Sequence, residues 1–147
     1  MRTLPLNLER RITMGLDQYG GWLQKPTKEE QLHGKIVNEP VFEHNCEFDW
    51  RKHAKLQKFM EDIWYDRETD GEDMFNGQTL LLTREDILNL QQFLLNDNLP
   101  ESEGGFFFGH QFQDESAKQY KEQDLEFCKE ALKWLDEGKE VFYECSW

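Results

Sequence analysis

This 147-residue chain is short of most residue patterns that advertise chemistry. Its three cysteines, Cys46, Cys128 and Cys145, are odd in number and widely spaced. They form no zinc pattern and point to free thiols in a reducing compartment. His33 and His44 show no ligand spacing, and no metal or other cofactor is expected. No Gly-x-Gly-x-x-Gly or Walker loop is present, so the usual dinucleotide and nucleoside-triphosphate fingerprints are missing. No Gly-x-Ser-x-Gly elbow supports Ser146 or Cys145 as a nucleophile. There is no run of about 18 apolar residues, so no membrane span is expected. The first eleven residues lack an apolar stretch and do not read as a signal peptide.

Positive charge is also scarce. Lys and Arg number 17 against 30 Asp and Glu, a formal net charge of −13. The excess is concentrated. Residues 1–58 carry ten basic and eight acidic side chains, whereas residues 59–147 carry seven and twenty-two. Such a field repels nucleic acid and anionic membranes and favours a basic protein partner. Hydrophobic residues make up only 37% of the chain, but aromatics reach 14%, and each ring buries a large area. An aromatic-rich core in one domain is expected at this length.

What is present reads as alternating elements. Residues 1–13 form an extended lead-in, since Pro5 discourages helix, and residues 14–147 form a single domain. Residues 11–19 alternate apolar and polar, the mark of a half-buried strand, which Gly20-Gly21 ends. Residues 24–49 read as a long loop with short extended pieces at 35–37 and 41–42. Asp49 caps a helix over 50–65. On it Leu56, Phe59, Met60, Ile63 and Trp64 share an apolar arc, with Lys52 and Gln57 at the edges. Arg51, Lys55 and Lys58 share the opposite arc with Asp62. Residues 66–78 are turn-rich. Thr79–Leu82 is a short strand, and Thr83 with Asp86 opens a helix over 84–95 that buries Ile87, Leu90, Phe93 and Leu94. The glycine-fenced aromatics Phe106, Phe107 and Phe108 form a buried strand over 105–109 or a tightly packed corner. Asp114 or Ser116 caps a last helix that runs to about residue 137 and stops at Gly138. Residues 140–147 close the chain as a strand, with Val141, Tyr143 and Cys145 on one side and Phe142 on the other. Four strands and three helices in this order suggest an α+β fold: a small, mostly antiparallel sheet with the helices on one face.

Two polar residues break the apolar faces. His53 projects into the apolar arc of the first helix, and Asp124 sits near the centre of the apolar arc of the last. Each must be paired or hydrogen-bonded there. Arg51, Lys55 and Lys58 form the one concentrated positive stripe. It suits an anion, or it docks on the chain's own acidic half.

The ordered set Met14-Gly15-Leu16-Asp17, Trp50-Arg51-Lys52, Leu99-Pro100, Gly105-Phe106-Phe107-Phe108-Gly109, Asp124-Leu125 and Phe142 to Trp147 resembles a family of small proteins of tailed bacteriophages, including phages of marine bacteria and cyanobacteria. The resemblance spans roughly residues 12–147. Other branches begin the first helix with Trp-Arg-Lys-Ala-Asn and carry a His one turn later, where this chain has His53-Ala54 and Gln57. The resemblance implies a phage accessory protein acting in the host cytoplasm.

Three functions follow as expectations. The first is a non-catalytic protein with a small polar pocket that sequesters a host small molecule, such as a nucleotide-like signal. Its walls are Trp50, Arg51, Lys52, His53, Phe108, His110, Tyr120 and Asp124; aromatics stack a base and cations meet phosphate. The second is an acidic interaction protein that inhibits a basic host factor. The third is an enzyme using His53 and Asp124 as an acid–base pair.

Overall fold

The computed structural model describes residues 15–24, 43–67, 74–103 and 110–147. Four strands form one antiparallel sheet: β1 (Asp17–Gln24), β2 (Glu43–Arg51), β3 (Thr79–Leu82) and β4 (Glu140–Ser146). Their spatial order is β2-β1-β4-β3. Three helices accompany them: α1 (Ala54–Arg67), α2 (Arg84–Leu95) and α3 (Gln113–Asp136), the last entered through a short 3-10 turn at His110–Phe112. The helices pack on the sheet face that carries Leu80, Leu82, Val141, Tyr143 and Cys145. The α+β fold expected from the sequence is therefore the observed one. No helix among the described residues is long and apolar enough to cross a membrane.

Several boundaries differ from the expectation. Gly20-Gly21 does not end β1; both glycines lie inside it. A Cβ on Gly20 would stand 2.8 Å from the Phe127 ring, and one on Gly21 would stand 1.8 Å from the Asn45 carbonyl oxygen. The first glycine lets α3 sit close on the sheet. The second lies where the register with β2 shifts, from Gly20 opposite Phe48 to Gly21 opposite Cys46. That step leaves Glu47 as the extra residue of a bulge, and its carboxylate accepts a 3.2 Å hydrogen bond from the Trp22 indole.

The second correction concerns residues 43–53. Residues 43–49 are strand rather than loop, and Asp49 caps nothing. Trp50 and Arg51 belong to β2, not to the first helix, which starts at Ala54. The turn between them is made by Lys52, whose φ of 54° is left-handed. Its amide still donates to the Leu16 carbonyl at 2.9 Å, so the ladder continues past the strand before the chain swings into α1.

The expected cap of α2 is present: Thr83 Oγ1 accepts from the Asp86 amide, and the Asp86 carboxylate accepts from the Thr83 amide. Within this helix Ile87, Leu90 and Leu94 are buried as expected, but Phe93 is 38% exposed. Helix α3 starts one residue before Asp114 with no side-chain cap. Asp114 pairs with Lys55 instead, which holds its carboxyl below the usual range. Gly138, with φ of +85°, ends that helix as expected. Residues 1–14, 25–42, 68–73 and 104–109, and with them the lead-in, the pieces at 35–37 and 41–42, the middle of the turn-rich 66–78 stretch, and the aromatic strand, lie outside the described residues.

Candidate functional site

Phe127 of α3 sits over Gly20 and meets the rings of Phe48 and Trp50 edge-on, both at 5.4 Å between centroids. This contact sets the height of α3 above β2. One turn earlier on the helix it brings Asp124 against the polar edge of Trp50. The indole N–H donates to Asp124 Oδ1 at 2.8 Å, and His53 Nε2 lies 2.7 Å from Asp124 Oδ2. Trp50 is 2% exposed, and His53 and Asp124 are fully buried.

The carboxyl of Asp124 is pushed above its usual range by burial, against the opposing pull of His53 and the Trp50 hydrogen bond. His53 Nδ1 is buried and has no hydrogen-bond partner among the described residues. That fact assigns the proton. An N–H at Nδ1 would be an orphan donor in the core, whereas a bare lone pair there is the cheaper defect. With the proton on Nε2, both Asp124 oxygens meet a donor, one from His53 and one from Trp50. Above the pair, the Tyr120 ring stacks on the imidazole at 5.2 Å and 17°. Tyr120 and Asp124 are one turn apart on α3, so one helix face supplies both the lid and the acceptor.

A second polar system supports the first. Gln18 lies on β1, in phase with Leu16, on the face turned to the core. Its amide clasps the His53 backbone from both sides: the His53 N–H donates to Gln18 Oε1 at 2.9 Å, and Gln18 Nε2 donates to the His53 carbonyl at 3.0 Å. Gln18 Nε2 also reaches the Tyr143 hydroxyl at 2.8 Å, and that hydroxyl donates to Gln57 Oε1 at 2.6 Å. Gln57 Nε2 donates to Cys145 Sγ at 3.3 Å, and the thiol meets the Phe75 carbonyl at 3.2 Å. Burial drives the Tyr143 hydroxyl well above its usual range and the Cys145 thiol up to about 12. Neither is poised to ionise, and Cys145 is core, as expected. The same two-sided clasp recurs where Gln113 holds Ser102 and where Asn76 holds Trp147.

Of the eight expected pocket residues, Trp50, His53, Tyr120 and Asp124 are brought together. Arg51 adjoins them through its backbone, whose amide donates to the Tyr120 hydroxyl at 3.1 Å, but its guanidinium turns to Asp17 at 2.7 Å. Lys52 forms the left-handed corner next to them. His110 stands apart, exposed at the entry to α3, with Nδ1 3.2 Å from Gln113 Nε2. Phe108 is outside the described residues. The sequence reasoning missed Gln18 and placed Gln57 only at an edge. Both carried a readable signal. Gln18 continues the apolar phase of Leu16, and Gln57 follows His53 by one helical turn.

The positive stripe is spent internally. Arg51 pairs with Asp17, Lys55 with Asp114 and Lys58 with Asp62, at 2.7, 2.7 and 2.9 Å. Two of those three acids come from the acidic half of the chain. The His53–Asp124 distance satisfies the reach an acid–base pair requires, but both groups are sealed from solvent in this structure. No protein-family model, curated protein or solved structure gives a significant match to the chain.

Proposed function

We propose that this protein is a non-catalytic interaction protein whose acidic surface binds a basic protein partner. The observation that carries this reading is the fate of the cations. Beyond the stripe, Arg67 pairs with Asp86, Arg84 with Asp136, Lys121 with Asp97 and Lys139 with Glu137. With seven of the eleven basic side chains among the described residues engaged at home, the chain's excess of acidic residues, 30 against 17 basic, is what its surface offers a partner. A surface of that kind steers basic proteins and repels polyanions. On the resemblance to small phage proteins, the partner would be a host factor in the infected cell.

The test is a pull-down from lysate at about 50 mM salt, repeated at about 300 mM, where the screening length is roughly halved or less. A specific basic protein captured at low salt and shed at high salt supports the reading. Capture of nothing at low salt rejects it.

A second reading keeps the small polar pocket, because His53 Nδ1 is a buried acceptor without a partner among the described residues. A ligand donor would complete it. Nitrogen-edited spectra of the imidazole during nucleotide titration check this, and an unmoved Nδ1 resonance at saturating nucleotide rejects it.

A further inference from the structure

A cleft of about 330 Å³ opens between α1 and α2, well removed from the Asp124 cluster in its lining. Its floor is apolar: Phe59, Ile63, Phe93 and Pro100. Phe59 and Phe93 meet edge to face at 5.7 Å. The helical phase of α2 turns Phe93 inward, yet it remains 38% exposed because it forms a cleft wall instead of joining the core. The rim is acidic. Asp62 and Asp66 stand one turn apart on α1, and Asp86 lies across from them on α2.

The three acids are not equivalent. Asp86 is committed to the Thr83 cap and to Arg67, and Arg67 is further tied to the Leu81 carbonyl at 2.9 Å. That end of the cleft is a fixed strut. Among the described residues Asp62 is held only by Lys58, in an exposed i,i+4 pair that contributes little and exchanges readily. Asp66 makes no ion pair or hydrogen bond among the described residues, and neither does the Asn89 side chain opposite. The open end therefore offers carboxylates beside an exposed aromatic ring.

We propose that this cleft is the docking site for a basic peptide segment of the partner, one that carries Lys or Arg next to a large apolar side chain. The inference rests on the reading of the protein as an acidic interaction protein, and it adds the place and the peptide chemistry. The apolar side chain would cover Phe93 and Ile63, which are the groups that gain most from leaving water. The cation would meet Asp66 and Asp62 at the rim, where charge complementarity sets orientation and on-rate. A groove between two helices that joins an apolar floor to three carboxylates and a single cation, Arg67, already paired to Asp86, suits a short amphipathic basic segment. The volume is at the lower end of ligand sites, enough for one anchor side chain and its neighbour.

The test titrates the full chain with a ten-residue peptide of alternating Arg and Leu at about 50 mM salt. Binding is followed by calorimetry and by backbone amide shifts. We expect shifts centred on α1 and α2, and a loss of affinity of about tenfold or more in Asp62→Lys/Asp66→Lys. Phe93→Ala, at an exposed ring, gives an independent loss that does not depend on charge. Glu122→Lys/Glu126→Lys on α3 makes the same charge change on exposed positions outside the cleft and is expected to leave affinity within about twofold. If the α3 reversal weakens binding as much as the cleft reversal, and Phe93→Ala has no effect, the cleft is overturned while the acidic reading survives. If the wild-type chain binds no basic peptide at low salt, both fall.

Discussion

Asp124 shows how much one buried carboxylate can organise. It ties β2, the β2–α1 corner and α3 together through Trp50 and His53. Removing it in Asp124→Ala strands two buried N–H donors and is expected to cost about 3–5 kcal/mol, as breaking a buried pair from one side does. Chemical denaturation measures this. The pH dependence has a definite sign. Burial raises the Asp124 carboxyl above its unfolded value, so the folded state holds that proton more tightly. Its contribution to stability is therefore fully present below the unfolded value of about 4 and is lost as pH rises through the folded value. Asp124→Asn removes this dependence, so the wild type should gain stability relative to the variant as pH falls. A constant difference across that range would sink the argument. Both His53 and Asp124 were legible in the sequence as polar residues on apolar arcs. Their mutual pairing was not, because it depends on the height of α3 over β2, which Gly20 and Phe127 set through a contact between residues over a hundred positions apart.

At the scale of the element, β2 is the informative case. It is an edge strand, and such strands invite pairing with other chains. Helix α3 closes part of that edge with its own side chains. Tyr120 accepts from the outward Arg51 amide, and Gln123 donates to the Asp49 carbonyl at 2.6 Å. The double variant Tyr120→Phe/Gln123→Ala should fold, lose about 1–2 kcal/mol and expose the Arg51 amide. Hydrogen exchange at Arg51 should accelerate by about tenfold, the factor that roughly 1.4 kcal/mol of local opening supplies. Unchanged exchange at that amide would mean the helix does not guard the edge. The same strand explains the main misreading of the sequence. Cys46, Glu47 and Asp49 are exposed, while Asn45 shares the inward face with Phe48 and Trp50, so the alternation is faint. Trp50 and Arg51 also fit the helical phase that follows, and only the left-handed Lys52 separates strand from helix. By contrast, the Thr83–Asp86 cap, the 79–82 strand and the Gly138 stop are local signals, and each sits where the sequence places it.

Across the whole molecule, charge and packing divide the labour. The −13 net charge predicts nothing about fold, and the sheet forms without reference to it. What charge determines is which cations are left for other molecules. The composition could not reveal this. The pairing of Lys55 with Asp114, 59 positions apart in sequence, is a product of the fold.

The clasp between Asn76 and Trp147 carries a consequence for how the chain ages. Asn76 precedes Gly77, the sequence in which a backbone nitrogen most readily attacks the side-chain amide, expelling ammonia and leaving a succinimide that opens to aspartate or isoaspartate. Here both reactants are restrained. The Gly77 N–H donates to the Cys145 carbonyl at 2.8 Å, and the Asn76 amide is held by the Trp147 N–H and C=O, each at 2.9 Å. The folded chain should resist this reaction, and the denatured chain should deamidate at residue 76 several-fold faster by peptide mapping. Once aspartate forms, its oxygen faces the Trp147 carbonyl where a donor stood, and Trp147 loses that half of the clasp while its indole stays bonded to the Phe75 carbonyl. A single unfolding event that lasts long enough would thus leave a permanent chemical record at Asn76.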